Sequence, residues 1–205
     1  EKRRLKPTIN FNIEAPDVSA SISVKATPVN NAGASLVNTA TRGLNALFTG
    51  NQDQAKAKQA SFDSMQRAAA VALGNDIIQR MRANDSPGFA ALYNGTFDSN
   101  TALNTSLSCY NSACSAQQLA ELDKQQWVRA IQARENTGAL DDATVCISST
   151  PVAAGNASEF NIEVVISWQG RQELSANKDT AAIDCGSKGD KRRLIVLQSY
   201  IYLRS

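Results

Sequence analysis

Four cysteines are the residues whose type and spacing most directly prescribe a chemistry. Cys109 and Cys114 flank the short polar run Tyr110-Asn111-Ser112-Ala113, while Cys146 and Cys185 stand far apart. Four cysteines allow three disulfide connectivities. The short segment can close on itself, and Cys146 with Cys185 would then close a longer loop. Chain entropy assigns about 2 kcal/mol to the short closure and about 4 kcal/mol to the long one. Such bridges persist in oxidising compartments, so the set points to the periplasm or the cell exterior. Tyr110, Asn111 and Ser112 argue against burial of the first pair as free thiols. A zinc site is not expected, because only one of the two pairs has the close spacing that Cys-only zinc sites use.

Other reactive groupings are sparse. The chain has 0 histidines, which removes Ser-His-Asp and Cys-His nucleophile pairs and imidazole metal ligands. Acid–base catalysis would then need a retuned carboxylate, lysine or tyrosine. Asp141-Asp142 is the one adjacent carboxylate pair, placed after Gly138-Ala139-Leu140 with no partner residue nearby. No catalytic residue, cofactor site or metal site is expected. The 21 basic and 19 acidic residues leave a net charge of +2, too little for a strong field toward nucleic acid or membrane. Lys188, Lys191, Arg192 and Arg193 cluster near one loop with Asp184 and Asp190 interleaved. Such a run reads as a solvated turn, and four cations alone give weak, salt-sensitive nucleic-acid binding.

The elements that position these residues follow from periodicity. The length of 205 residues suits one domain of ordinary size with a small appendage. Thr8 to Glu14 and Ser19 to Lys25 alternate with period two and predict a strand pair. Pro28, Asn30, Asn31 and Gly33 read as a connection. From about residue 52 to 84 the pattern turns helical: Phe62, Met65, Ala69, Leu73, Ile77 and Met81 recur at steps of three or four. Gln54, Gln66, Arg67, Asp76, Arg80 and Arg82 fall on the more polar faces. Arg80 and Arg82 complement the helix dipole, and Asn84-Asp85-Ser86-Pro87-Gly88 ends the helix.

Asn94 to Ser108 reads as loop. Ser115-Ala116-Gln117-Gln118 resembles a capping box, followed by a shorter helix marked by Leu119, Leu122, Trp127, Ala130 and Ile131. Trp127 is expected to pack that helix onto a sheet. Thr144 to Ser148, Phe160 to Gln169 and Arg193 to Leu203 predict three strands in an antiparallel meander, with Cys185 in the loop before the last. The fold class is α+β. No run of ~18 apolar residues is present, no signal peptide is recognisable, and the chain is expected to be a soluble ectodomain.

A family resemblance joins these pieces. The helix end Gln66 to Asn84, with its Arg80-Met81-Arg82-Ala83-Asn84 run, resembles the minor pilins of the PilV family of type IV pili. Cys109, Cys114 to Ala120 and Asp123-Lys124-Gln125-Gln126-Trp127 are similar to that family's next block. Val164 to Gly170, Cys185-Gly186 and Lys191-Arg192-Arg193 are similar to its C-terminal end. The resemblance covers about residues 43 to 205. It implies a long N-terminal helix packed on a C-terminal antiparallel sheet with two disulfides. On this division residues 1–42 are an N-terminal segment replacing or extending the family's hydrophobic anchor helix. Residues 43–205 are the ectodomain, with a helix of about 52–84 and a globular head of 85–205.

The resemblance also implies a non-enzymatic pilus subunit, anchored in the inner membrane before assembly and placed afterwards at the pilus tip. Its expected partners are other minor pilins, the major pilin and a large tip adhesin, serving adhesion and twitching motility. The expected assembly surface is the helix face carrying Ala68, Ala69, Ala72, Arg80 and Arg82. A type II secretion pseudopilin shares the layout, and a DNA-binding pilin of an uptake machine is the remaining alternative.

Overall fold

A computed structural model describes the backbone of residues 31–205 except 105, 107, 111, 156, 175–177 and 205, and side chains from residue 53 onward apart from 178 and 179. The strand pair expected in Thr8 to Glu14 and Ser19 to Lys25 lies outside the described residues, as do Pro28 and Asn30. The first helix, α1, spans Asn31–Ala83. It begins well before the expected residue 52 and includes Asn31 and Gly33, which the sequence assigned to a connection. No proline falls between those residues and Gly50, so nothing breaks the helix there although no apolar stripe announces it.

The chain divides into two compact units at Ser64/Met65. In the first, the described side chains Asp53 to Lys58 are exposed helical residues. In the second, the head, α1 contributes Met65 to Ala83. Its buried stripe is Gln66, Ala70, Leu73, Ile77, Ile78 and Met81. Two sequence expectations are corrected here. Met65, counted in the apolar stripe, is 54% exposed, while Gln66, assigned to a polar face, is 1% exposed. The cause is a buried indole: Trp168 Nε1 donates to Gln66 Oε1 at 3.4 Å. A buried tryptophan N–H calls for an acceptor, so an amide occupies a core position.

The head then runs through α2 (Phe89–Tyr93), β1 (Gly95–Asp98), α3 (Ala116–Asn136), β2 (Asp141–Pro151), β3 (Glu159–Gln169), α4 (Lys178–Ala181) and β4 (Arg192–Tyr202). Among the described residues the strands form one sheet in the order β1-β2-β3-β4. All neighbours are antiparallel, with Phe97 opposite Val145, Val145 opposite Ile166 and Ile166 opposite Ile195. The inner face carries Val145, Ile147, Ile162, Val164, Ile166, Ile195 and Leu197, all buried. Gly74 permits the close approach of α1 to this face, because a Cβ there would run into Leu197 and touch Ile166.

Strand β1 corrects the loop expected at Asn94 to Ser108, and the short helix α2 lies just before it. A four-residue strand shows only one apolar letter, Phe97, too few for period-two alternation to register. Helix α3 opens with the expected capping box: Gln118 N donates to Ser115 Oγ at 3.3 Å, and Ser115 N donates to Gln118 Oε1 at 2.9 Å.

The outer face of the sheet is half covered. Cys146 on β2 is bonded to Cys185, and Cys109 to Cys114, with Cα–Cα separations of 6.0 Å and 5.4 Å. The first bond clamps the β3–β4 loop over the sheet and buries Val165 and Ser167. Gly186 there has φ of 73°, and any Cβ would strike Ser167 Oγ. This position needs glycine on both counts. One helix laid on an antiparallel sheet, with two disulfides, is a pilin-like α+β fold.

Candidate functional surface

At the end of α1 a polar network joins three helices. Asp123 is buried on α3; its Oδ1 accepts from Arg80 Nη1 at 3.1 Å and its Oδ2 from Tyr93 OH at 2.9 Å. Arg80 also pairs with Asp76 at 3.0 Å and donates to Gln126 Oε1. Asn84 Nδ2 reaches Tyr93 OH at 3.1 Å and the Ala116 carbonyl at 2.8 Å. Burial pushes the Tyr93 phenol well above its ordinary range, against the Asn84 hydrogen bond, and Asp123 adds to the shift. Tyr93 therefore stays a proton donor. Asp76 Oδ2 accepts from Trp127 Nε1 at 3.0 Å. Trp127 is packed between Phe97 and Tyr93, with ring centroids 5.9 Å and 6.0 Å away.

This network places one of the candidate assembly residues in the structure. Arg80, named on the candidate assembly surface, shares a helical spacing with Asp76 that turns both toward α3. Ala69 likewise packs against the core. Ala68, Ala72 and Arg82 remain exposed. Arg82 Nη2 donates to Ser199 Oγ at 2.6 Å. Together with Met65, Asn75 and Gln79, Ala68 and Ala72 form an outward stripe along the head's part of α1, stepping by three or four residues. Its centre is two alanines wide, with no long side chain to hold a neighbouring helix away.

The remaining chemistry-bearing candidates stay apart. Asp141 and Asp142 are exposed at the irregular start of β2, and Asp142 has φ of 46°. Among the described residues no group of three or more Cys, Asp or Glu is placed to hold a metal ion. The cationic run is also corrected. Arg193 is 8% exposed rather than solvated, and its Nη2 donates to the Gln172 carbonyl at 2.9 Å. Its guanidinium lies over Gly170, where a Cβ would come within 2.8 Å of Cζ. Arg192 Nη2 donates to the Ile183 carbonyl at 2.6 Å. Two of the four cations thus brace loops.

Lys124 was not singled out in the sequence, yet it is half-buried on α3. Burial pushes its ammonium pKa down, and Glu121 partly offsets that. The lowered folded-state value means that the unfolded chain binds more protons up to about pH 10.4. Stability linked to this group therefore rises with pH through that window. Lys124→Met is expected to unfold at higher urea than the wild type at neutral pH, and the gap is expected to narrow as pH approaches about 10. Parallel urea titrations at the two pH values check the sign.

Among the described residues no helix is long and apolar enough to cross a membrane. Comparison with curated proteins finds no match, and none of the solved structures matches either. Residues 54–125 match the model of the Tt1218-like family, described as type IV pilin Tt1218. The matched stretch covers less than half of the chain, from the lower part of α1 through α2 and β1 into α3. With the pilin-like fold around it, this match supports a type IV pilin family for the chain.

Proposed function

We propose that this chain is a minor pilin: a structural subunit that helps to prime type IV pilus assembly and joins other minor pilins at the pilus tip. The outward stripe of α1, with Ala68 and Ala72 at its centre, carries the proposal. A partner helix can approach closely along such a face, because small side chains let backbones come together. The fold and the family match support a structural rather than catalytic role. Display of a large tip adhesin, and through it adhesion and twitching, belongs to the same proposal. So do residence on the periplasmic side of the inner membrane before assembly and the division of the chain into residues 1–42 and the ectodomain.

Deletion of the gene in its source organism, with surface pili sheared and counted, tests the role. Loss of pili and twitching, restored by complementation, is the expected result. Intact pili with a defect in protein secretion would assign the chain to the pseudopilins instead. For the surface, Ala72→Arg is expected to leave urea stability within about 0.5 kcal/mol, because the site is exposed. It is expected to fail in complementation; full restoration of pili by that variant removes this face from assembly.

A further inference from the structure

The sheet ends on a long edge. Strand β4 pairs with β3 alone among the described residues, in one unbroken register from Arg192 opposite Gln169 to Tyr202 opposite Glu159. Two bonds fix which of its backbone groups face outward. Leu203 N donates to the Ser158 carbonyl at 2.8 Å, and Gly170 N donates to the Lys191 carbonyl at 2.7 Å. Odd-numbered residues therefore face β3, and Leu194, Val196, Gln198, Tyr200 and Tyr202 direct their N–H and C=O groups to the other side. From Leu194 to Tyr202 this edge has no charge, no proline and no bulge, the devices that keep an edge strand from pairing. The opposite edge is guarded: β1 has 4 residues, and Asp98 N is taken by Thr101 Oγ1 at 2.9 Å.

The chain ahead of the described residues holds a segment with the complementary pattern. In Thr8-Ile9-Asn10-Phe11-Asn12-Ile13-Glu14 the apolar side chains alternate with polar ones. Beside β4 such a strand continues both faces of the sheet at once. Ile9, Phe11 and Ile13 extend the buried layer of Ile195, Leu197 and Ile201, while Asn10 and Asn12 extend the outer face of Gln198, Tyr200 and Tyr202. Tether length agrees. The helical rise from Asn31 to Met65 is about 51 Å, and an extended chain from Glu14 to Asn31 spans about 58 Å. Ser19 to Lys25 alternates as well, but an extended chain from Lys25 to Asn31 spans only about 20 Å.

Direction follows from the same tether. Gln66 meets Trp168, which stands opposite Arg193, so α1 enters the head at the Arg193 end of β4. Antiparallel addition brings Glu14 to that end. It carries the cations Lys2, Arg3, Arg4 and Lys6 toward the Tyr202 end, where Glu159 and Glu163 lie on the outer face of β3. We infer that Thr8 to Glu14 adds to β4 of its own chain as an antiparallel fifth strand, with Ile9, Phe11 and Ile13 on the α1 side. The strand closes the edge against other chains, and Ser19 to Lys25 serves as tether rather than as its hairpin partner. The β4 edge is separate from the outward stripe of α1, so the inference does not depend on the assembly role proposed for that stripe.

NMR of the ¹⁵N,¹³C-labelled chain tests it. Antiparallel addition in this phase is expected to give Hα–Hα NOEs between Ile9, Phe11 or Ile13 and Ile195, Leu197 or Ser199, because those residues form the closely spaced pairs. The amides of Val196, Gln198 and Tyr200 are expected to exchange at least about tenfold more slowly than in Phe11→Asp, where the strand loses its buried face. Ile195 and Leu197, bonded to β3, are expected to exchange alike in both proteins, which shows that the variant head is folded. Absence of the NOEs, or unchanged exchange at Val196, Gln198 and Tyr200 in Phe11→Asp, overturns the inference. NOEs from Ile9 to Ile13 onto Ser19 to Lys25 instead of β4 also overturn it. A protected edge in a chain that light scattering shows to be a dimer would assign the added strand to a second copy and overturn addition within one chain.

Discussion

Trp127→Ala is expected to destabilise the head by about 4 kcal/mol, the largest single effect of any substitution in α3. Trp127 is fully buried, and it joins α3 to α1, α2 and β1. Its ring stacks on Phe97 of β1 and meets Tyr93 of α2. Its N–H holds Asp76 of α1 at 3.0 Å. Truncation would open a cavity between α3 and the β1 edge, and Asp76 would keep only its pairing with Arg80. Trp127→Phe separates the two contributions: it keeps an aromatic ring, loses the N–H, and is expected to cost about 1–2 kcal/mol. Urea denaturation of both variants measures this. A loss below about 1 kcal/mol for Trp127→Ala would mean that the helical layer is held by something other than this ring.

The second large effect concerns the long disulfide. Replacing Cys146 and Cys185 together by alanine is expected to cost about 4 kcal/mol, against about 2 kcal/mol for Cys109 and Cys114. The difference comes from loop length, since the bonds span 39 and 5 positions. Burial works in the same direction. The Cys185 loop covers Val165 and Ser167, whereas the Cys109 loop surrounds the exposed Tyr110. Hydrogen exchange is expected to quicken at Val165 and Ser167 in the first variant and to stay unchanged there in the second. An equal or reversed order of stability losses would show that the β3–β4 loop holds its place without the bond.

Strongly periodic elements were legible in the sequence. The helix to Ala83 and strands β3 and β4 each carry a repeated signal over many residues, the capping box at Ser115 is a local motif, and β2 was read only from Thr144 to Ser148 although it spans Asp141–Pro151. Two kinds of feature were not. The first is short structure: β1 offers only Phe97, and α2 is five apolar letters, Phe89 to Tyr93, with no polar residue to mark a period. The second is polar burial. Gln66, Asp123, Gln125 and Arg193 are all buried, yet each is a residue that composition places outside. Their positions are set by partners distant in the chain: the Trp168 indole for Gln66, Arg80 and Tyr93 for Asp123, and the Gln172 carbonyl for Arg193. The same effect set the orientation of Arg80. Its outward appearance on a helical wheel ignored Asp123, which lies 43 positions later. Ala68 and Ala72 were readable as a thin surface, but which alanine of the run faces outward depended on the sheet that covers Ala70.

The proposed role is that of a structural pilin subunit present in few copies per filament. Sheared pili from the source organism, quantified by mass spectrometry against the major pilin, test it most directly. The account predicts that peptides from α3 and β3 are recovered with the filaments, at a small fraction of the major subunit, and disappear on deletion. Filaments that are normal in number and contain no trace of the chain would contradict it.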